Sequence, residues 1–75
     1  MRVRVLRRHI AEGVVGDVAA CPLALASGYE IDDWFCTDQE GIRYSMSREA
    51  RRFVHAFDTD GPVKPGWITL YEENE

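Results

Sequence analysis

The chain has 75 residues, 45% of them hydrophobic and 11% aromatic, and a formal net charge of −4. This is a globular composition, short enough to form one domain and close to the lower limit for a self-sufficient core, so pairing with a second copy is expected. The acidic balance argues against duplex DNA as a partner, and no apolar run approaches the roughly 20 residues that span a bilayer.

In chain order, residues 2–7 come first. Val3 and Val5 alternate with Arg2 and Arg4, which is strand periodicity with one face wet or functional. Gly13 and Gly16 punctuate a turn or short helical loop over residues 9–16. Residues 18–27 are rich in alanine and leucine and predict a helix. Pro22 fits its first position, Cys21 its cap and Gly28 its stop, with Val18 to Ala20 an irregular turn before it. Residues 29–36 predict a strand, with a bulge at Asp32-Asp33 where the alternation breaks. Asp38-Gln39-Glu40-Gly41 predicts a hairpin connection, and residues 42–46 alternate again, with Ile42, Tyr44 and Met46 inward and Arg43 and Ser45 outward.

The clearest helix follows. Ser47 is a good N-cap, Glu49 lies in the first turn, and Met46, Ala50, Phe53, Val54 and Phe57 form one apolar stripe. Arg48, Arg51, Arg52 and His55 fall on the other side and are read as a solvated helix face. Asp58-Thr59-Asp60-Gly61-Pro62 ends the helix, and residues 67–71 predict a last strand. The order β-α-β-β-α-β predicts an α+β fold of the ferredoxin-like split βαβ kind, with a four-stranded antiparallel sheet and helices on one face. Residues 1–75 form the single domain, and 72–75 are expected to be a frayed acidic tail.

Two cysteines are too few for a disulfide framework, and the charged, alternating N-terminal segment lacks the unbroken apolar core of a signal peptide. Reduced thiols and a cytoplasmic location are expected.

The segment His9-Ile10-Ala11-Glu12-Gly13-Val14-Val15-Gly16-Asp17, followed by Cys21-Pro22-Leu23-Ala24-Leu25-Ala26, carries a further signal. It resembles a pattern in short hypothetical proteins of actinobacteria and actinobacteriophages, and Phe53-Val54-His55-Ala56-Phe57-Asp58 is similar to their C-terminal half. Eight arginines against one lysine fit a GC-rich coding sequence of that type. The resemblance implies a phage-type accessory protein, in the host cytoplasm if phage-encoded, and brings no mechanism with it. Many members carry another cysteine three residues before the Cys-Pro; here that position is Val18.

No catalytic constellation emerges. Cys21 at a helix start could have its thiol pKa lowered by the dipole and be imagined with His9 as a Cys-His nucleophile. The structural reading, a buried thiol and a strand-ending histidine, is preferred, because no third residue orients the histidine. His9, Cys21, Cys36 and His55 match no zinc module, and Asp58-Thr59-Asp60-Gly61 reads as a helix-ending turn and not a calcium loop. Gly13-Val14-Val15-Gly16 lacks the lysine or third glycine of a phosphate loop and the basic residues of a nucleic-acid clamp. No metal and no cofactor is expected.

The open sheet face is the stronger candidate. With Val3 and Val5 inward, Arg2, Arg4 and Arg43 point outward, joined by Trp67 and Tyr71 from the last strand and by Trp34, whose face the bulge leaves open. Arginine, tryptophan and tyrosine are enriched at interface hot spots and also stack bases and hold phosphate. The expectation is a non-enzymatic homodimer that binds a host or defence protein stoichiometrically. The alternative is a nucleotide-signal sponge that sequesters a small phosphorylated ligand at a dimer junction, and a Cys21-dependent enzyme is a distant third.

Overall fold

The N-terminal alternation of valine and arginine becomes a strand, β1 (Arg2–Val5), in a computed structural model that describes residues 1–72. It pairs antiparallel with β5 (Gly66–Thr69), setting Arg2 opposite Thr69, Val3 opposite Ile68 and Arg4 opposite Trp67. Val3, Val5 and Ile68 are buried, while Arg2, Arg4 and Trp67 are exposed, as a two-residue period requires.

Between these strands, α1 (Arg7–Glu12) follows β1 with only Leu6 between them. The imidazole of His9 starts it, since its Nδ1 accepts the Leu6 N–H at 2.9 Å. α2 (Pro22–Ser27) has Cys21 as N-cap and Pro22 first, as the sequence predicts. Gly28 ends it in the left-handed region, at φ 78°, with its N–H bonded to the Ala24 carbonyl. Gly13 is needed for a different reason: a Cβ there would lie 2.7 Å from Pro22 Cδ, so only glycine lets α1's exit pack on α2's entrance.

The predicted strand over residues 29–36 is two strands, β2 (Glu30–Ile31) and β3 (Phe35–Thr37). Asp32 Oδ1 accepts the N–H groups of Trp34 (2.7 Å) and Phe35 (2.6 Å), and its own N–H donates to the Phe35 carbonyl. The expected bulge is therefore an Asx-type reversal. The hairpin at 38–41 forms as expected, because Asp38 Oδ1 accepts from both Glu40 and Ile42. It leads into β4 (Arg43–Ser45), which pairs with β3. Ile42 precedes that strand and is 49% exposed, not inward. α3 (Arg48–Asp58) has the predicted cap, with Ser47 Oγ accepting the Ala50 N–H.

These pairings overturn the ferredoxin-like arrangement. The strands form a two-stranded sheet, β1–β5, and a separate three-stranded sheet, β2–β3–β4, not one four-stranded sheet. Reversal at Asp32 folds the expected second strand back on itself, so β2 and β3 pair as a hairpin and β3 becomes the centre of a separate sheet with β4. The sheets meet through caps and termini instead. The Ser47 N–H donates to the Leu70 carbonyl and the Ser47 hydroxyl to that of Thr69. The Leu70 N–H donates to the Met1 carbonyl, and the N-terminal ammonium reaches the Tyr71 carbonyl at 2.6 Å.

One buried cluster unites the elements, including Val5, Leu23, Ile31, Cys36, Ala50, Val54, Ile68 and Leu70. Tyr71 closes it. Its ring stacks on Tyr44 at 4.2 Å between centroids, and Tyr29 leans on both. Among the described residues no helix is long and apolar enough to cross a membrane. Glu72 is exposed, and the remainder of the expected frayed tail, 73–75, lies outside the described residues.

The tyrosine cluster carries a pH prediction. The Tyr29 and Tyr71 hydroxyls lie 3.5 Å apart, and this hydrogen bond, with burial, pushes Tyr29 up from 10.0 to about 12. A group whose pKa rises on folding stabilises the fold fully below its unfolded pKa and loses that contribution as pH climbs through the folded value. Alkaline destabilisation is therefore expected between pH 10 and about 12. In Tyr71→Phe, tyrosinate absorbance should show Tyr29 titrating closer to 10; an unchanged titration would show that the hydroxyl pair does not act on Tyr29.

Candidate functional site

Six residues were expected on one open sheet face, and the division of the strands separates them. Arg2, Arg4 and Trp67 stay together on the outward face of the β1–β5 ribbon. Trp67 is 58% exposed, and the Arg2 guanidinium lies 5.2 Å from its ring centroid, within cation–π range. Arg4 sits directly across the ladder from Trp67. Beside them, Arg4, Arg7, Pro65 and Gly66 help line a shallow hollow of about 320 Å3.

Arg43 belongs to the other sheet, where it covers the Phe35 ring at 4.8 Å. Tyr71 lies in the core at 9% exposure and is not part of the outward face. Two consecutive buried residues, Leu70 and Tyr71, show why: β5 ends at Thr69, so its alternation does not extend to Tyr71. Trp34 stands on the Asp32 turn, 62% exposed, with its backbone held by Asp32 on one side and by the Met46 N–H on the other. Its cation is Arg51, 5.3 Å from the ring.

That contact was not foreseen. Arg48, Arg51, Arg52 and His55 follow the i, i+3, i+4, i+7 spacing of one helix face, which in the sequence reads as solvated. The spacing was the available signal; what the sequence hid was the reversal that brings Trp34 to this face. The Arg51 Nε is shielded from water and has no hydrogen-bond partner. Asp33, Trp34, Arg51, Val54, His55 and Asp58 line a hollow of about 460 Å3. Through Arg51 and His55 it adjoins a basic hollow of about 410 Å3 that adds Arg48 and Arg52.

The Cys21–His9 pair has no support as a nucleophile. Burial pushes the Cys21 thiol up, against the lowering that the helix start suggested, and backbone hydrogen bonds offset this only in part. The residue is 4% exposed. His9 Nδ1 is already engaged by the Leu6 N–H, which assigns the imidazole to capping α1. Cys36 is likewise buried, its thiol pushed up to about 11. A third hollow, of about 350 Å3, is lined by Asp17, Asp32, Asp33 and Asp58 beside Cys21. Asp32 and Asp17 serve local turns there, and Asp58 accepts the Gly16 N–H. Among the described residues no group of three or more histidine, cysteine or acidic side chains is placed to hold a metal ion.

The described surface thus offers two arginine–tryptophan patches on different elements, one on the β1–β5 ribbon and one between α3 and the Asp32 turn. Compared with known proteins, the chain matches no family model, no curated protein and no solved structure.

Proposed function

We propose that this chain is a non-enzymatic binding protein that acts by occupying a protein partner through the outward face of β1–β5. The observation that carries the reading is the Arg2–Trp67 contact, a guanidinium over an indole that is itself 58% exposed, with Arg4 across the ladder. Three features of the patch favour a protein surface. Tryptophan and arginine supply large contact area and directional donors, and dominate binding energy where they are buried at an interface. The short strands hold both side chains on a fixed backbone, which limits the entropy lost on binding. The neighbouring hollow with Arg4 and Arg7 suits an acidic side chain of the partner. The resemblance to short hypothetical proteins of actinobacteria and actinobacteriophages implies a phage-type accessory protein, for which a host or defence protein is the natural target, and action by occupancy needs no catalytic group.

Tagged protein should retain a defined partner from host extract, and Trp67→Ala or Arg4→Glu should release it. Truncating a hot-spot tryptophan costs about 2 kcal/mol or more, roughly a thirtyfold loss of affinity. Both positions are exposed, so circular dichroism and the Tm should stay near wild type. Undiminished capture by both folded variants would sink the assignment to this face. Molar mass in solution separates pairing with a second copy: a wild-type dimer that both variants convert to monomer would give the ribbon to self-association instead.

A further inference from the structure

The groove along α3 differs in chemistry from the ribbon face. Acidic and basic side chains line it together with an indole. Asp33 and Asp58 share the central hollow with Trp34 and Arg51, and Arg48, Arg52 and His55 extend it on the basic side. Along the helix, Arg52 and Arg48 lie six and ten residues before Asp58, about 9 and about 15 Å at 1.5 Å per residue. That range is of the order of the reach of a mononucleotide from base edge to phosphate.

We propose that this groove binds a free nucleoside phosphate whose base carries an exocyclic amino group. The base stacks on Trp34, whose ring is covered by one guanidinium and otherwise largely open. The amino group donates to the carboxylates of Asp33 and Asp58, as amino-bearing bases do to acidic side chains. The phosphate meets the guanidinium groups of Arg48 and Arg52, beside His55, in charge-assisted and bidentate contacts. A phosphate oxygen or ribose hydroxyl near Arg51 also offers this side chain the chance to turn and recover the hydrogen bond its Nε lacks. Both halves of the groove are needed. Arginines alone would suit any phosphate; carboxylates alone would repel it.

A single nucleotide suits the site better than a polynucleotide. The chain carries a net charge of −4, so a strand running beyond the basic end would meet repulsion that one phosphate group escapes. The site is independent of the ribbon face, so either can fail without the other.

Calorimetry on the full chain with GMP, AMP, CMP, UMP and inorganic phosphate tests the proposal. Saturable one-to-one binding is expected for at least one of the three amino-bearing nucleotides, at least about tenfold tighter than for UMP or inorganic phosphate. The same nucleotide should raise the Tm by mass action. Arg52→Glu, at an exposed helix position, should weaken binding about tenfold or more while leaving the fold unchanged. Trp34→Ala should do the same, and Trp34→Phe should restore part of the loss by keeping a stacking ring. No binding by any of the three amino-bearing nucleotides, equal affinity for UMP or inorganic phosphate, or full retention in both Arg52→Glu and Trp34→Ala would overturn the site. Tighter binding of a short single strand than of its mononucleotide would overturn the free-nucleotide assignment.

Discussion

Leu70→Ala is expected to lower the melting temperature by more than about 10 °C and to leave a substantial unfolded population at room temperature. The side chain is wholly buried, among the largest groups in the core, and its backbone joins three parts of the chain. The Leu70 N–H bonds the Met1 carbonyl and its carbonyl receives the Ser47 N–H, so it lies where β1's start, α3's cap and β5's end converge. Removing buried leucine atoms costs about 2–5 kcal/mol, with the high end where surrounding atoms cannot collapse into the space. A core of this size supplies only about 3–5 kcal/mol of net stability, so one substitution removes much of it. Each kcal/mol is worth about 4–8 °C in a domain of this length. Thermal and urea unfolding followed by circular dichroism check this, with exposed Val15→Ala as a control expected within about 0.5 kcal/mol of wild type. A change in Leu70→Ala as small as the control's would mean that the two sheets do not close over this residue.

What was readable in the sequence is what local chemistry decides. Alternating valine and arginine specified β1, Pro22 and Gly28 bracketed α2, and Ser47 with its apolar stripe specified α3. Each depends on residues within a few positions of one another. The four-stranded sheet failed because it rested on one aspartate. In the sequence Asp32 reads as a bulge, which keeps a strand running, but its carboxylate captures two backbone N–H groups and reverses the chain. A short polar side chain offers both outcomes, and pattern alone does not choose between them.

The same residue explains the dispersal of the expected recognition face. With a continuous strand, Trp34 would have shared a sheet with Arg2 and Arg4. The reversal turns it toward α3, where Arg51 lies over it. Tyr71 misled for a related reason: alternation was carried two residues beyond the end of β5, to a ring that stacks on Tyr44 in the core. The residue types on the recognition face were legible, but which of them share a face was set by turns.

Asp32→Ala is therefore the most direct test of how the fold makes its sites. The variant removes the acceptor for the Trp34 and Phe35 N–H groups, both held at less than 2.8 Å. Hydrogen bonds to a charged acceptor contribute about 1.5–3 kcal/mol, and water takes over part of that at an exposed turn, so a net loss of about 2 kcal/mol is expected. The accompanying fall in Tm, about 8–16 °C, should be smaller than that for Leu70→Ala. Asp32→Asn, which keeps an acceptor oxygen but no charge, should recover part of it. The functional readouts should divide. Partner capture by the β1–β5 ribbon should persist below the melting temperature, because no residue of that face rests on the turn. Nucleotide binding along α3 should weaken with the placement of Trp34. Equal loss at both sites in the folded variant would show that the turn supports the whole domain and not one edge of the α3 groove.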